Sequence, residues 1–66
     1  MLPDYQLLEA AKHNDIQSAR DAVDRGANVH AWDLNGRSAL CLACMQGHMQ
    51  IAEFLVELGA DVDATF

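Results

Sequence analysis

The sequence says nearly the same thing twice at one fixed offset. Gly26-Ala27-Asn28-Val29-His30-Ala31 returns as Gly59-Ala60-Asp61-Val62-Asp63-Ala64, and Leu7, Ala10, Ile16, Ala19 and Val23 return as Leu40, Ala43, Met49, Ala52 and Val56. A fixed period of this length marks stacked supersecondary units, none of which buries its apolar face alone. Two such units must share a core, and that moves the functional question from catalysis to binding.

Within each period the apolar residues fall at helical spacing. Pro3 or Asp4 opens a first helix, because proline is tolerated where the N–H has no helical partner. Leu7, Leu8, Ala10 and Ala11 form its apolar face, and Asn14-Asp15 ends it. Asp15 caps a second helix that runs to Arg25. That helix is one-sided, with Ile16, Ala19, Ala22 and Val23 opposite Gln17, Arg20, Asp21 and Asp24. Gly26 closes it, since a left-handed terminal residue costs glycine nothing. Residues 27–37 then form an extended excursion with a turn at Asp33-Leu34-Asn35-Gly36. Ser38 caps a third helix over 39–46 that Gly47 terminates, and a fourth spans about 49–58 and ends at Gly59.

The last two helices differ from the first two. Leu40, Leu42, Ala43, Cys44 and Met45 crowd the third, while the fourth keeps only Gln50, Glu53 and Glu57 polar. A helix apolar nearly all round is normally buried on two sides. The first unit therefore reads as a terminal cap and the second as an internal unit that expects another layer. Some of Leu42, Met45, Phe54 and Leu58 should lie exposed, leaving this chain marginal or self-associating until a following repeat or a partner covers them.

The second unit resembles the ankyrin repeat, whose pattern runs Asp-x-x-Gly-x-Thr-Pro-Leu-His-x-Ala-Ala, then Gly-His, an aliphatic helix and Gly-Ala-Asp-Val-Asn-Ala. Asp33, Gly36, Leu40, Ala43, Gly47-His48, Ile51, Leu55 and Gly59-Ala60-Asp61-Val62 carry the match. Leu7-Leu8-Glu9-Ala10-Ala11 and Gly26-Ala27-Asn28-Val29 resemble an N-terminal capping repeat. The resemblance implies an all-α ankyrin-repeat solenoid, two stacked helix-turn-helix units joined by an extended hairpin-like loop. It makes 1–66 one module, with 1–32 the capping repeat and 33–66 the second repeat and the start of the next loop. Ser38-Ala39-Leu40-Cys41 departs from the Thr-Pro-Leu-His tetrapeptide, losing a preset φ and an inter-repeat histidine worth on the order of 1 kcal/mol each.

Charge excludes some partners. Ten acids against four bases give −6 at pH 7, and the acid excess is larger after residue 32 than before it. With no basic stripe to neutralise phosphates, neither nucleic acid nor an anionic membrane surface is expected as a partner. No apolar run approaches the ~18 residues of a membrane span, and the N-terminus lacks the basic and apolar regions of a secretory signal. Cys41 and Cys44, three positions apart, cannot staple distant segments, which suits reduced thiols in an intracellular setting, cytoplasmic or nuclear.

Cys41, Cys44 and His48 invite a zinc or redox reading. Zinc wants four ligands from separated segments, a thioredoxin-like site wants a βαβ context, and neither pattern is present. Both cysteines are expected in the core, and Cys44→Asp is expected to unfold the chain. Asp33, Asp61 and Asp63 lack the spacing of a calcium loop. No cofactor, metal or catalytic constellation is expected, so the chain reads as a non-enzyme.

What remains is surface. The resemblance implies that a partner meets the concave side, built from hairpin tips and the exposed face of each first helix. Mapped onto this chain, that side carries Trp32, Leu34, Asn35, Arg37, Met45 and Gln46, with Lys12 and His13 from the cap. Trp and Arg are the types most enriched among binding hot spots. The expected partner is another protein, or further ankyrin repeats stacking on the C-terminal face. The alternative is a structural subunit docked permanently in a larger assembly.

Overall fold

The computed structural model describes residues 2–59 and holds four helices: α1 (Pro3–His13), α2 (Ile16–Asp24), α3 (Ala39–Gln46) and α4 (Met49–Glu57). Every start and stop has a local cause. Pro3 stands in the first turn of α1, and the Asp15 carboxylate accepts from Ser18 N–H at 3.1 Å to cap α2. Ser38 Oγ accepts from Cys41 N–H at 3.1 Å to cap α3. These bonds satisfy backbone donors that a helix start leaves without partners.

The helix ends repeat one device. Gly47 takes a left-handed φ of 75°, His48 N–H reaches back to Ala43 C=O at 2.9 Å, and Gly47 N–H reaches Cys44 C=O. This paired closure is the Schellman motif. One period earlier Asn14 adopts φ 56°, and Asp15 N–H bonds Ala10 C=O at 3.0 Å. Asparagine tolerates that region better than other side chains do, so it substitutes for glycine there.

The helices pack as two antiparallel pairs laid side by side. α1 packs on α2 and on α3, α3 packs on α4, and α2 meets α4 more lightly. Leu7, Ile51 and Leu55 are the largest fully buried side chains, and Ala11, Ala19, Ala22, Ala39 and Ala43 are buried around them. Alanines at these positions let helix backbones approach closely, and the volume left over is filled by the leucines. Between the pairs, residues 25–38 loop out, with an isolated antiparallel bridge joining Trp32 to Ser38. Loop, helices and caps follow the expected pattern. The loop residues Ala60, Asp61, Val62, Asp63 and Ala64, which carry part of the repeat match, lie outside the described residues.

One polar bond ties the pairs together. His48 Nδ1 donates to Ala11 C=O at 2.9 Å, joining the start of α4 to the end of α1. That carbonyl is one of the groups the end of α1 leaves unpaired. His48 thus supplies a link between units in a chain whose tetrapeptide lacks the expected histidine.

Burial corrects two expectations. Cys41 is buried as expected, its Sγ 3.9 Å from Met45 Sδ, but Cys44 is exposed. It holds the place in the second period that Ala11 holds in the first. Ala11 is fully buried because α3 and α4 cover it, whereas the same side of the second pair has no described element above it. Leu42 is buried and Phe54 is partly buried against the core, while Met45 and Leu58 are exposed as anticipated. Cys44→Asp should therefore leave the melting temperature of this chain nearly unchanged, the reverse of the reading from sequence. Gly47→Ala meets open space but must hold φ 75°, so it should cost about 1–2 kcal/mol in a urea melt. His48→Ala, which strands the Ala11 carbonyl, should cost about 1 kcal/mol in the same measurement.

Candidate functional site

The hairpin tip is organised by a single carboxylate. Asp33 Oδ1 accepts from Asn35 N–H and from Arg37 N–H, each at 2.9 Å. Its own N–H donates to Arg37 C=O, and its C=O accepts from Gly36 N–H, both at 2.9 Å. Gly36 takes φ 76° to close the turn, a value strained for any residue with a Cβ. With the backbone tied on all sides, the tip has little freedom to rearrange, although its side chains point to water.

A second carboxylate anchors the base of the loop. Asp4 Oδ1 accepts from Asn28 N–H at 2.7 Å, joining the first turn of α1 to the excursion. Asn28 Oδ1 then accepts from His30 N–H at 2.9 Å in a side-chain-capped turn. The loop is therefore held at its base by α1 and at its tip by its own aspartate.

Between α1 and this loop runs an open groove of about 610 Å³ lined by Leu2, Asp4, Tyr5, Leu8, Lys12, Trp32, Asp33, Leu34 and Asn35. Trp32 is 72% exposed, and Leu34 is fully exposed beside it. The indole does not fold back into the core. Large apolar side chains held out on a fixed backbone lose little entropy when a partner covers them.

Four of the eight anticipated residues, Lys12, Trp32, Leu34 and Asn35, meet in this groove. Arg37 is exposed on the closing side of the tip, while Met45 and Gln46 are exposed at the end of α3, outside the groove lining. His13 is set apart from it. Its Nε2 lies 3.3 Å from Glu9 on α1, in a polar cleft shared with Gln6, Asp15 and Ser18. Leu2, Asp4 and Tyr5 complete the groove and were not anticipated. The helical spacing of Tyr5, Leu8 and Lys12 was the available signal, since residues three and four apart share a face.

The same bonds set the electrostatics. The Arg37 backbone N–H, then the Asn35 N–H and the charges of Lys12 and Arg37, hold the Asp33 carboxyl below the usual range. Ser18, through its backbone N–H and then its hydroxyl, does the same for Asp15. On α1 the Tyr5 hydroxyl donates to Glu9, which lowers the Glu9 carboxyl and raises the Tyr5 phenol.

Cys41, Cys44 and His48 are turned to different tasks: one buried in the core, one on an open face, one bonded to Ala11. Among the described residues no three His, Cys, Asp or Glu side chains gather as a metal site, and no helix is long and apolar enough to cross a membrane.

Comparison with known proteins gives a consistent picture. Residues 7–56 match the family model described as ankyrin repeats (many copies). The chain is 39% identical over 59 residues to human protein phosphatase 1 regulatory subunit 27, covering 89% of this chain and 38% of that protein. It is 41% identical over 56 residues to the ankyrin repeat and KH domain-containing protein mask-1 of Caenorhabditis elegans, covering 83% of this chain and 2% of that protein. Over 57 residues it is 35% identical to mouse ankyrin repeat domain-containing protein 40, covering 85% of this chain and 16% of that protein. The chain thus spans less than two fifths of the length of these relatives.

Carboxylates with lowered folded-state pKa values stabilise the fold above their unfolded pKa, near 4, and lose that contribution as pH falls through the folded value. The melting temperature should accordingly drop on acidification below about pH 4. Asp33→Asn keeps an acceptor but does not titrate, so its drop should be smaller than that of the parent chain. Thermal melts of both proteins from neutral to strongly acid pH check this.

Proposed function

The chain belongs to the ankyrin-repeat family, and from that premise we propose that it is a non-enzymatic recognition module that captures a partner protein through the groove between α1 and the hairpin tip. Ankyrin repeats in general are modules for binding other proteins. In this reading 1–32 acts as the capping repeat and 33–66 as the second repeat of a larger array. The observation that carries it is the exposure of Trp32 and Leu34 on a tip whose backbone Asp33 ties down. Trp32 is the anchor, Leu34 and Tyr5 supply apolar area, and Lys12 and Arg37 steer an acidic or polar partner edge. Met45, Gln46, Asn35 and His13 form the rim. The regulatory-subunit name of the human relative accords with an adaptor role. Two cysteines outside any disulfide suit an intracellular setting.

A photo-crosslinking residue placed at position 34 of the chain in cells should capture a discrete protein, whereas the same residue at Asp24 on the outer side of α2 should not. Trp32→Ala should weaken binding of the captured protein by about 2 kcal/mol or more, with the melting temperature nearly unchanged. Equal capture from both positions, or a Trp32→Ala variant that loses stability and keeps affinity, would contradict the proposal.

A further inference from the structure

The side of α3 and α4 turned away from the first helix pair carries a shallow groove of about 450 Å³ walled by Cys44, Met49, Ala52 and Val56, with Glu53 and Glu57 on the same wall. Each of these has a counterpart one period earlier, on the corresponding side of the first pair: Ala11, Ile16, Ala19, Val23, Arg20 and Asp24. In the first pair that side is covered. Ala11 and Ala19 are fully buried by the second pair, and Ile16 and Val23 pack against the core. Arg20 lies over the Phe54 ring of α4, 5.8 Å from its centroid. The molecule therefore contains one worked instance of how such a face is filled, and the open face repeats its apolar register.

One position changes sign. Glu53 stands where Arg20 stood. A carboxylate over an aromatic face meets the negative side of the ring's quadrupole, so a second Phe54-like residue would suit it poorly. A cation there would form an ion pair instead.

A second copy of this chain is the wrong occupant. Docked in that register it would present Gln6, Glu9 and Asp21 where the second pair presents Ala39, Leu42 and Phe54. Gln6 is already bonded to Ser18 C=O and to Asp21, and Asp21 pairs with Arg25. Covering these groups would desolvate them and set Asp21 against Glu53, like charge on like charge.

We propose that this face takes a third repeat, joined to the second as the second is joined to the first, that carries Lys or Arg where the second carries Phe54, so that its cation meets Glu53. The proposal rests on the reading of the chain as part of an array and names the chemistry that extends it. Apolar area supplies the attraction, and the charge at Glu53 selects among repeats that otherwise look alike.

The test appends a copy of residues 33–66 after Phe66, with both cysteines of the copy changed to Ala. In three versions, the copy's counterpart of Phe54 is left as Phe, changed to Lys, or changed to Glu. The melting temperature should rise in the order Glu, Phe, Lys, and Glu53→Arg in the parent repeat should reverse the order of Lys and Glu. In the Lys version, maleimide labelling of Cys44 should slow about tenfold or more relative to the parent chain, because the reagent must wait for the units to part. An order unmoved by Glu53→Arg, or Cys44 labelling as fast as in the parent chain, would overturn the proposal. So would a parent chain that sediments as a dimer with Cys44 already protected. No partner protein enters this experiment, so its failure is separate from failure of crosslinking at the hairpin tip.

Discussion

Everything in this chain depends on the seam between α1 and α3. Neither helix pair owns enough apolar surface to fold alone, and the two share Leu7, Leu40, Ile51 and Leu55 within one cluster. Buried alanines on both helices, Ala10 and Ala11 on α1 and Ala39 and Ala43 on α3, let the backbones close to short range. The close approach brings His48 within 2.9 Å of the Ala11 carbonyl and satisfies a group that the end of α1 would otherwise leave to water. Apolar contact supplies the attraction at the seam, and this bond favours one register among several that alanine packing would permit.

The candidate site is a consequence of that seam. Fixing α3 beside α1 fixes the two ends of the excursion between α2 and α3, and the excursion is then pinned by Asp4 at its base and by Asp33 at its tip. Trp32 and Leu34 reach solvent because a loop tied this way has no route into the core. The groove beneath them exists because α1 runs on below the tip from Leu2 to Lys12. The groove is partly apolar and partly charged, which is the makeup expected of a patch that binds and releases a protein surface. Binding residues here are held by backbone hydrogen bonds and leave the apolar side chains free for contact.

Features set by neighbours in sequence were legible before any coordinates. Asp15, Ser38 and Gly47 mark helix ends through bonds to nearby positions, and such signals survive in a linear reading. The exposure of Trp32 was legible too, because the repeat register places it on the tip. Features set by distant packing were not. Cys44 reads as a core residue by type and by register, and only the position of the second pair relative to the first shows that nothing described covers it. Leu2, Tyr5 and Asp4 belong to the groove because the loop carrying Trp32 to Asn35, far along the chain, folds over them, a fact without a local trace. His48 looked like part of a turn and is also a tether, since its partner carbonyl, that of Ala11, belongs to the other helix pair.

The central claim is that the two helix pairs are one cooperative body, neither persisting when the other opens. Native-state hydrogen exchange tests it most directly, read at the Ala10 and Ala11 amides of α1 and the Leu42 and Ala43 amides of α3 as denaturant is raised from zero. The account predicts a single opening free energy for all four, equal to that of global unfolding, with the same denaturant dependence. An α3 that stays protected while α1 exchanges through a smaller opening, or the converse, would show that the pairs fold separately and would contradict the account.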